Sequence, residues 1–400
     1  MRKKIYIEKN VFCALILMIM ILLETAFENT PLQNYNLTFG RIASALELIV
    51  FIILIGLESF TRKRLSIMIV ISLLFFTSYI ILNTSLLFQM FMFSIAISIV
   101  GIRKSFELIF KFRLIAIITI ISLSLIGIIP ILHMQIDKGI GSTYGYGLGF
   151  THPNRLASSV CYMMLSYICW KKDKINTKNA LMIFFITLLT YWITKSRTII
   201  ITMFILFILF LLRKLKITKK LSNWFIKVYS IISLPLNVLV SILFPYLMLT
   251  SSGLLQTILY SINLSFSRRF THIEHMLIAY PISLLGGQYD TVVMEKMFGY
   301  AVVDNGYITF LYRYGIIGLA IFCAFSFISV LKLNKDGEYT WLSVFIVVAA
   351  QGLLEDIYSN VGLNLLVVFW ACIFSKIIIK SKGKLKNDSK ENSLHMAWQK

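Results

Sequence analysis

The chain has 400 residues, 58% of them hydrophobic and only 14% charged, with a mean hydropathy of +0.81. Soluble domains carry roughly 25% charged residues, so an apolar excess spread along the whole length excludes an ordinary soluble globule and points to a bilayer as solvent. The net charge of +21 does not indicate a nucleic-acid binder, because the basic residues sit in short blocks between apolar runs and form no continuous basic face.

A helix needs about 20 apolar residues, roughly 17–25, to cross hydrocarbon. Runs of this kind cover 11–28, 42–60, 65–82, 86–102, 114–132, 155–170, 180–194, 198–212, 224–249, 306–331, 341–355 and 361–379. Backbone polar groups cannot be left bare in lipid, so these runs should be helices, and the alternation of a β-barrel is absent. The expectation is an all-α polytopic integral membrane protein of about 12 transmembrane helices. A single membrane domain would cover 1–379, with a large extracytoplasmic loop at 250–305 between spans 9 and 10. A basic, disordered cytoplasmic tail would follow at 380–400. The opening MRKK and the run from Val11 have the look of a signal sequence, but the run ends ETAFENT with no small-x-small cleavage site, so it is kept as the first span.

Orientation follows from Lys and Arg. With the N-terminus inside, every inner segment is basic, including Arg103, Lys104, Lys111 and Arg113 between spans 4 and 5. Both termini are therefore expected in the cytoplasm. Nine cations stand against this preference, on or near the outer side: Arg41, Lys138, Arg155, Lys195, Arg197, Arg268, Arg269, Lys296 and Arg313. The five cysteines all lie in apolar runs and read as small buried hydrophobes. Pro235 and Pro245 interrupt one span without a counterpart elsewhere, which counts against an inverted-repeat transporter.

Four outer stretches could carry chemistry. Gly139 to Arg155, GIGSTYGYGLGFTHPNR, is glycine-rich, so its backbone N–H groups could approach an anion. Pro153 suits the first turn of the next helix, which places His152 and Arg155 at a helix N-terminus that favours negative charge. Lys195-Ser196-Arg197 joins two short apolar runs of about 22 Å each, so this turn should be drawn below the outer surface of a hydrocarbon core about 30 Å thick. From Arg268 to Tyr280, Phe270, Ile273, Leu277 and Tyr280 recur at helical spacing with Arg268, His272 and His275 opposite, which predicts an amphipathic surface helix. His272 and His275 lack an obvious third ligand, so no metal is expected. Asp304-Asn305 opens the following span, with Arg313 about 12 Å deeper. An arginine at that depth needs a partner, and Glu355 and Asp356, which end a neighbouring span, could provide one. Arginine suits bidentate phosphate binding, so these stretches together imply a phosphate or pyrophosphate ligand at the outer leaflet with an acid/base group beside it.

The motifs GFTHPNRLA and TKSRT, an outer loop with LLGG, and then VDNGYITFLYRYGIIGL occur in an order that resembles the Wzy-type polysaccharide polymerases of the O-antigen polymerase and ligase superfamily. The resemblance covers about 150–320. O-antigen ligases have a similar pattern around Asp304, but with His at that position. The resemblance implies a metal-independent, C-type glycosyltransferase-like enzyme of the bacterial cytoplasmic membrane that needs no cofactor. It would transfer a growing glycan from undecaprenyl diphosphate to the next lipid-linked oligosaccharide unit, for capsule, exopolysaccharide or O-antigen. A flippase, a chain-length regulator and membrane lipids would be its partners. Arg155, Arg197, Arg268 or Arg269 (which the sequence does not rank) and Arg313, with Lys195 and Asn305, would hold the diphosphate. Asp304, then His152, then His272 would supply the base. The alternatives are a ligase acting on another acceptor and a lipid-linked oligosaccharide flippase or transporter.

Overall fold

The computed structural model describes residues 86–374, apart from 138–141, 215–217, 288–290 and 300–302, together with isolated positions before residue 86. The expected spans 11–28, 42–60 and 65–82, the tail 380–400, Arg41 and Lys138 lie outside the described residues.

The chain is helical nearly throughout: α1 (Leu86–Val100), α2 (Ile102–Leu125), α3 (Pro153–Lys171), α4 (Thr177–Thr194), α5 (Arg197–Lys214), α6 (Lys219–Thr250), α7 (Gly253–Ser265), α8 (Arg269–Ala279), α9 (Thr291–Phe298), α10 (Gly306–Lys335), α11 (Tyr339–Gly352) and α12 (Leu365–Phe374). Four of these, α2, α4, α6 and α10, are long and apolar enough to cross a membrane. Their surfaces agree with that reading. Phe184, Phe185 and Trp192 of α4, Leu221 and Trp224 of α6 and Ile316 and Ile317 of α10 are all exposed. Rings and aliphatic chains at such density on an outer surface need an apolar solvent. This is an α-helical, membrane-embedded protein.

Helix α11 is the axle of the bundle. It packs against α3, α5, α6 and α10 and buries nearly all of its side chains, from Thr340 to Gly352. Helix α12 is buried except at Ile373. A helix that is apolar all round belongs in the interior, and α1, α11 and α12 read so.

Three expectations about the spans are corrected. The apolar run that was to begin at 114 begins instead at Ile102 and ends at Leu125, so the basic segment 103–113 is helical and belongs to α2. Arg113, expected on an inner loop, is fully buried in that helix and donates from Nη2 to the carbonyl of Gly362 at 2.8 Å. Pro235 and Pro245 do not interrupt α6, which runs through both. Proline removes one backbone donor but does not forbid a helix supported by its neighbours. Part of the glycine-rich loop is a β-hairpin, His133–Asp137 against Ser142–Tyr146, antiparallel with His133 opposite Tyr146.

Helix α10 is broken at one point that the sequence did not suggest. Gly315 has φ 68 and ψ −175, a conformation open to glycine and strained for other residues. The backbone groups freed there are taken up by the segment before α9. Ile316 and Ile317 donate to the carbonyls of Ser283 and Leu284 at 3.1 Å each, and Gly287 donates to the carbonyl of Tyr312 at 2.9 Å. Broken helices are tolerated in membranes where protein re-satisfies the backbone in this way.

Candidate functional site

Glu355 and Asp356 lie just past the end of α11, in the segment 353–364 that leads to α12. Four ties hold that segment. Asn305 caps α10 by accepting from the N–H of Ile308 at 3.0 Å, and its Nδ2 donates to the carbonyl of Leu353 at 3.0 Å and to Ser241 Oγ at 2.9 Å. Tyr358 sits in a slot between Gly306 and Gly352, where no Cβ would fit, and shares a 3.0 Å hydrogen bond with Tyr307. Asn360 accepts from the N–H groups of Gly362 and Leu363, and Arg113 holds the Gly362 carbonyl. The carboxylates therefore sit on a fixed frame.

Arg269 reaches Glu355 from the first position of α8. The turn before α8 selects it over its neighbour. Ser267 and Arg268 have positive φ, and Asn263 accepts from the N–H groups of Arg268 (through its carbonyl, 3.0 Å) and Phe270 (through Oδ1, 3.0 Å). This leaves Arg268 exposed and turns Arg269 inward. Phe270 locks the start of α8 by packing on Phe244 with ring centroids 4.5 Å apart. Arg269 Nη2 donates to Glu355 Oε1 at 3.0 Å and lies 3.9 Å from Asp304 Oδ2. Thr198, in the first turn of α5, donates to the same Glu355 Oε1 at 2.9 Å. Nη1 of Arg269 is buried and has no hydrogen-bond partner among the described residues. Buried donors are nearly always satisfied, so this one is a natural place for a ligand oxygen.

Asp356 accepts from Ser359 at 2.8 Å and faces the charges of Arg313 and Arg155. His152 is the N-cap of α3, its Nδ1 accepting from the N–H of Asn154 at 3.0 Å. Burial pushes the Glu355 carboxyl up; Asp304 adds to this, while Arg269 and Thr198 oppose it. Burial also pushes Asp356 up against the pull of Arg313, Ser359 and Arg155. The His152 imidazole is pushed down by burial and by Arg155 and Arg269, with Glu355 opposing.

Of the residues singled out in the sequence, the structure therefore gathers Arg155, Arg269, Arg313, Asp304, Asn305 and His152 around the Glu355-Asp356 pair. Lys195 is the left-handed end of α4, lying 5.8 Å from the centre of the Trp192 ring, and Arg197 opens α5 one residue before Thr198. Residues 195–197 thus form the turn between α4 and α5. Helix α8 follows the predicted amphipathic pattern in part: Phe270 and Ile273 are buried as expected, but Leu277 and Tyr280 are only half-buried, and Glu274 and Met276 are buried in their place. His272 lies one turn after Arg269 on the same face, with its Nδ1 buried. His275 stacks on Phe298 at 4.3 Å. Among the described residues no group of three His, Cys, Asp or Glu side chains is placed to hold a metal. Sequence reasoning offered Glu355 and Asp356 as partners for Arg313; Asp356 is the one that faces it, and Glu355 pairs instead with Arg269. Thr198, Arg113 and Tyr358 carried no signal strong enough to be picked out.

No protein-family model, curated protein or solved structure matches this chain.

Proposed function

We propose that this protein is a polymerase of lipid-linked oligosaccharide repeat units, a polytopic enzyme of about 12 spans with both termini in the cytoplasm and the Arg269–Glu355 site on the outer face of a bacterial cytoplasmic membrane. It transfers the growing glycan from undecaprenyl diphosphate to a hydroxyl of the next lipid-linked unit. The observation that carries the reading is Arg269, a fixed, buried guanidinium with one nitrogen on a carboxylate and the other without a partner among the described residues. Arg155 and Arg313 face Asp356, the second carboxylate of the pair. Preorganised cations of this kind take up the charge that develops on a diphosphate leaving group without a metal ion. The carboxylates beside them meet the second need, a base for the acceptor hydroxyl. Asp304 and Glu355, which share Arg269, are the two candidates for that role.

Purified protein in liposomes, supplied with lipid-linked repeat units, should convert them to a ladder of longer glycans and release undecaprenyl diphosphate. A host lacking the gene should accumulate single units on lipid. Ladders that persist in that host, or repeat units left unchanged by the purified protein, would sink the proposal. Transfer of finished chains to a different acceptor would indicate a ligase, and flipping of the lipid without bond formation a transporter.

A further inference from the structure

We propose that Glu355 is the catalytic base, and that donor binding at Arg269 switches its strength. This rests on the polymerase reading and adds to it the residue that takes the proton. Both hydrogen bonds to the Glu355 carboxylate end on Oε1, from Arg269 Nη2 and Thr198 Oγ1. No described residue bonds Oε2, and the side chain keeps 9% of its surface exposed. A carboxylate anchored through one oxygen and open at the other has the fixed aim that proton abstraction requires.

The other candidates lack that combination. Asp304 is 38% exposed and its closest charged partner is 3.9 Å away, so water solvates it and nothing sets its direction. His152 accepts at Nδ1 from a backbone N–H, which puts the proton of the neutral ring on Nε2. That nitrogen donates, and it cannot take a proton. His272 lies one turn along α8 from Arg269 with its Nδ1 buried, and it lacks the one-oxygen anchorage that fixes Glu355.

Arg269 links the base to the donor. Its Nη2 neutralises Glu355 while its buried Nη1, unpartnered among the described residues, is open to a diphosphate oxygen. An anion at Nη1 draws on the same positive charge, so its pull on Glu355 weakens as the donor arrives and the carboxylate becomes more basic. The remaining groups facing Glu355 are Asp304 ahead of α10, Thr198 on α5, His152 at the start of α3, and Cys161 and Tyr162 midway along α3. Burial and Asp304 already push Glu355 toward the basic side. In the step itself the acceptor O–H proton passes to Glu355 Oε2 and the acceptor oxygen bonds the anomeric carbon. The bond from that carbon to the diphosphate oxygen breaks, and its electron pair leaves on the diphosphate beside Arg269.

The test compares wild type, Glu355→Gln and Glu355→Asp in liposomes, using lipid-linked repeat units extracted from a host lacking the gene. Binding of undecaprenyl diphosphate is measured separately. Glu355→Gln should lower turnover by about 10²–10⁴-fold and abolish the acid limb of the pH–rate profile, with undecaprenyl diphosphate still bound. Glu355→Asp keeps the charge but withdraws the oxygen by one methylene, and should lose at least about tenfold in turnover with binding kept. It decides the matter if Glu355→Gln does not fold. Turnover within about tenfold of wild type for Glu355→Gln, wild-type turnover for Glu355→Asp, or equal losses of binding and turnover would overturn the assignment. If wild type binds undecaprenyl diphosphate and elongates nothing, the polymerase reading falls and this assignment falls with it.

Discussion

The two ends of the helix bundle use the same kinds of side chain for different ends. Helix α3 begins at the Glu355 site and finishes at Lys171, about 28 Å away. At that far end Lys171 lies 3.9 Å from the centre of the Trp170 ring, and Lys172 sits 3.8 Å from that of Trp341 while pairing with Glu338 at 2.6 Å. Arg213 reaches Thr340 at 2.9 Å with Tyr339 close by. Lys171 and Lys172 lie on flat rings, as anchors at a membrane surface do, and the carboxylate that Lys172 pairs with is partly exposed. At the Glu355 end the cations are turned inward against carboxylates, and one guanidinium nitrogen has no partner among the described residues. Cation content therefore does not distinguish the ends. What distinguishes them is whether the charge is desolvated and held.

The sharpest way to break this contrast is to remove the buried cation and spare its neighbour. Arg269→Met leaves Glu355 buried opposite Asp304 with no countercharge. Breaking a buried pair costs about 3–5 kcal/mol, and the partial exposure of these side chains, 14% and 9%, places the expected loss at the lower end. Arg268→Met, one residue earlier and exposed, should fall within about 0.5 kcal/mol of wild type. Thermal unfolding of both variants in detergent checks the difference, and equal effects would mean that the turn before α8 does not select between the two arginines. Under the proposed function, Arg269→Lys should also bind undecaprenyl diphosphate more weakly, because an ammonium cannot bridge Glu355 and a phosphate as a fork does.

A smaller effect tests the frame. Asn305→Ala removes the α10 cap, worth about 1 kcal/mol, and the donors to Ser241 and Leu353, worth about 1 kcal/mol each. A loss of about 2–3 kcal/mol in unfolding measurements is expected, and Asn305→Asp should recover only the cap. If Asn305→Asp restored wild-type stability, the ties to Leu353 and Ser241 would be contributing nothing, and the frame beneath Glu355 would need another explanation.

The sequence carried the class of protein well, because hydropathy is a sum over many residues and survives local error. It also carried the 195–197 turn and part of the amphipathic pattern of α8, which rest on short-range spacing. It could not rank Arg268 against Arg269, since they are adjacent and a three-residue turn held by Asn263 decides between them. Counting cations placed Arg113 at the inner surface, because the rule assumes that charged residues end a helix. Here α2 continues beneath them, and a carbonyl from a segment about 250 residues away receives the guanidinium. The break at Gly315 was hidden for a similar reason: it depends on backbone groups of Ser283, Leu284 and Gly287, which only the folded chain brings alongside. Glu355 and Asp356 were visible as an adjacent carboxylate pair within reach of Arg313, but that Asp356 takes Arg313 and Glu355 takes Arg269 was hidden, because distance along a helix says nothing of which neighbour faces it.

The smallest predicted effect lies at the far end and gives the contrast its lower bound. Lys172→Met removes one cation–π contact and one ion pair from groups that are 20% and 30% exposed. Such pairs are screened by water and contribute about 0–1 kcal/mol, and the ring contact adds about 0.5–1 kcal/mol at an exposed site. Methionine keeps much of the apolar stem against Trp341, so the net loss should stay below about 1 kcal/mol, with catalysis at the proposed site unaltered. Raising the salt concentration should weaken the wild-type ion pair and narrow the gap between the two proteins. A loss as large as that of Arg269→Met, insensitive to salt, would show that charge at the far end is held as tightly as at the Glu355 end, and the distinction between anchor and site would fail.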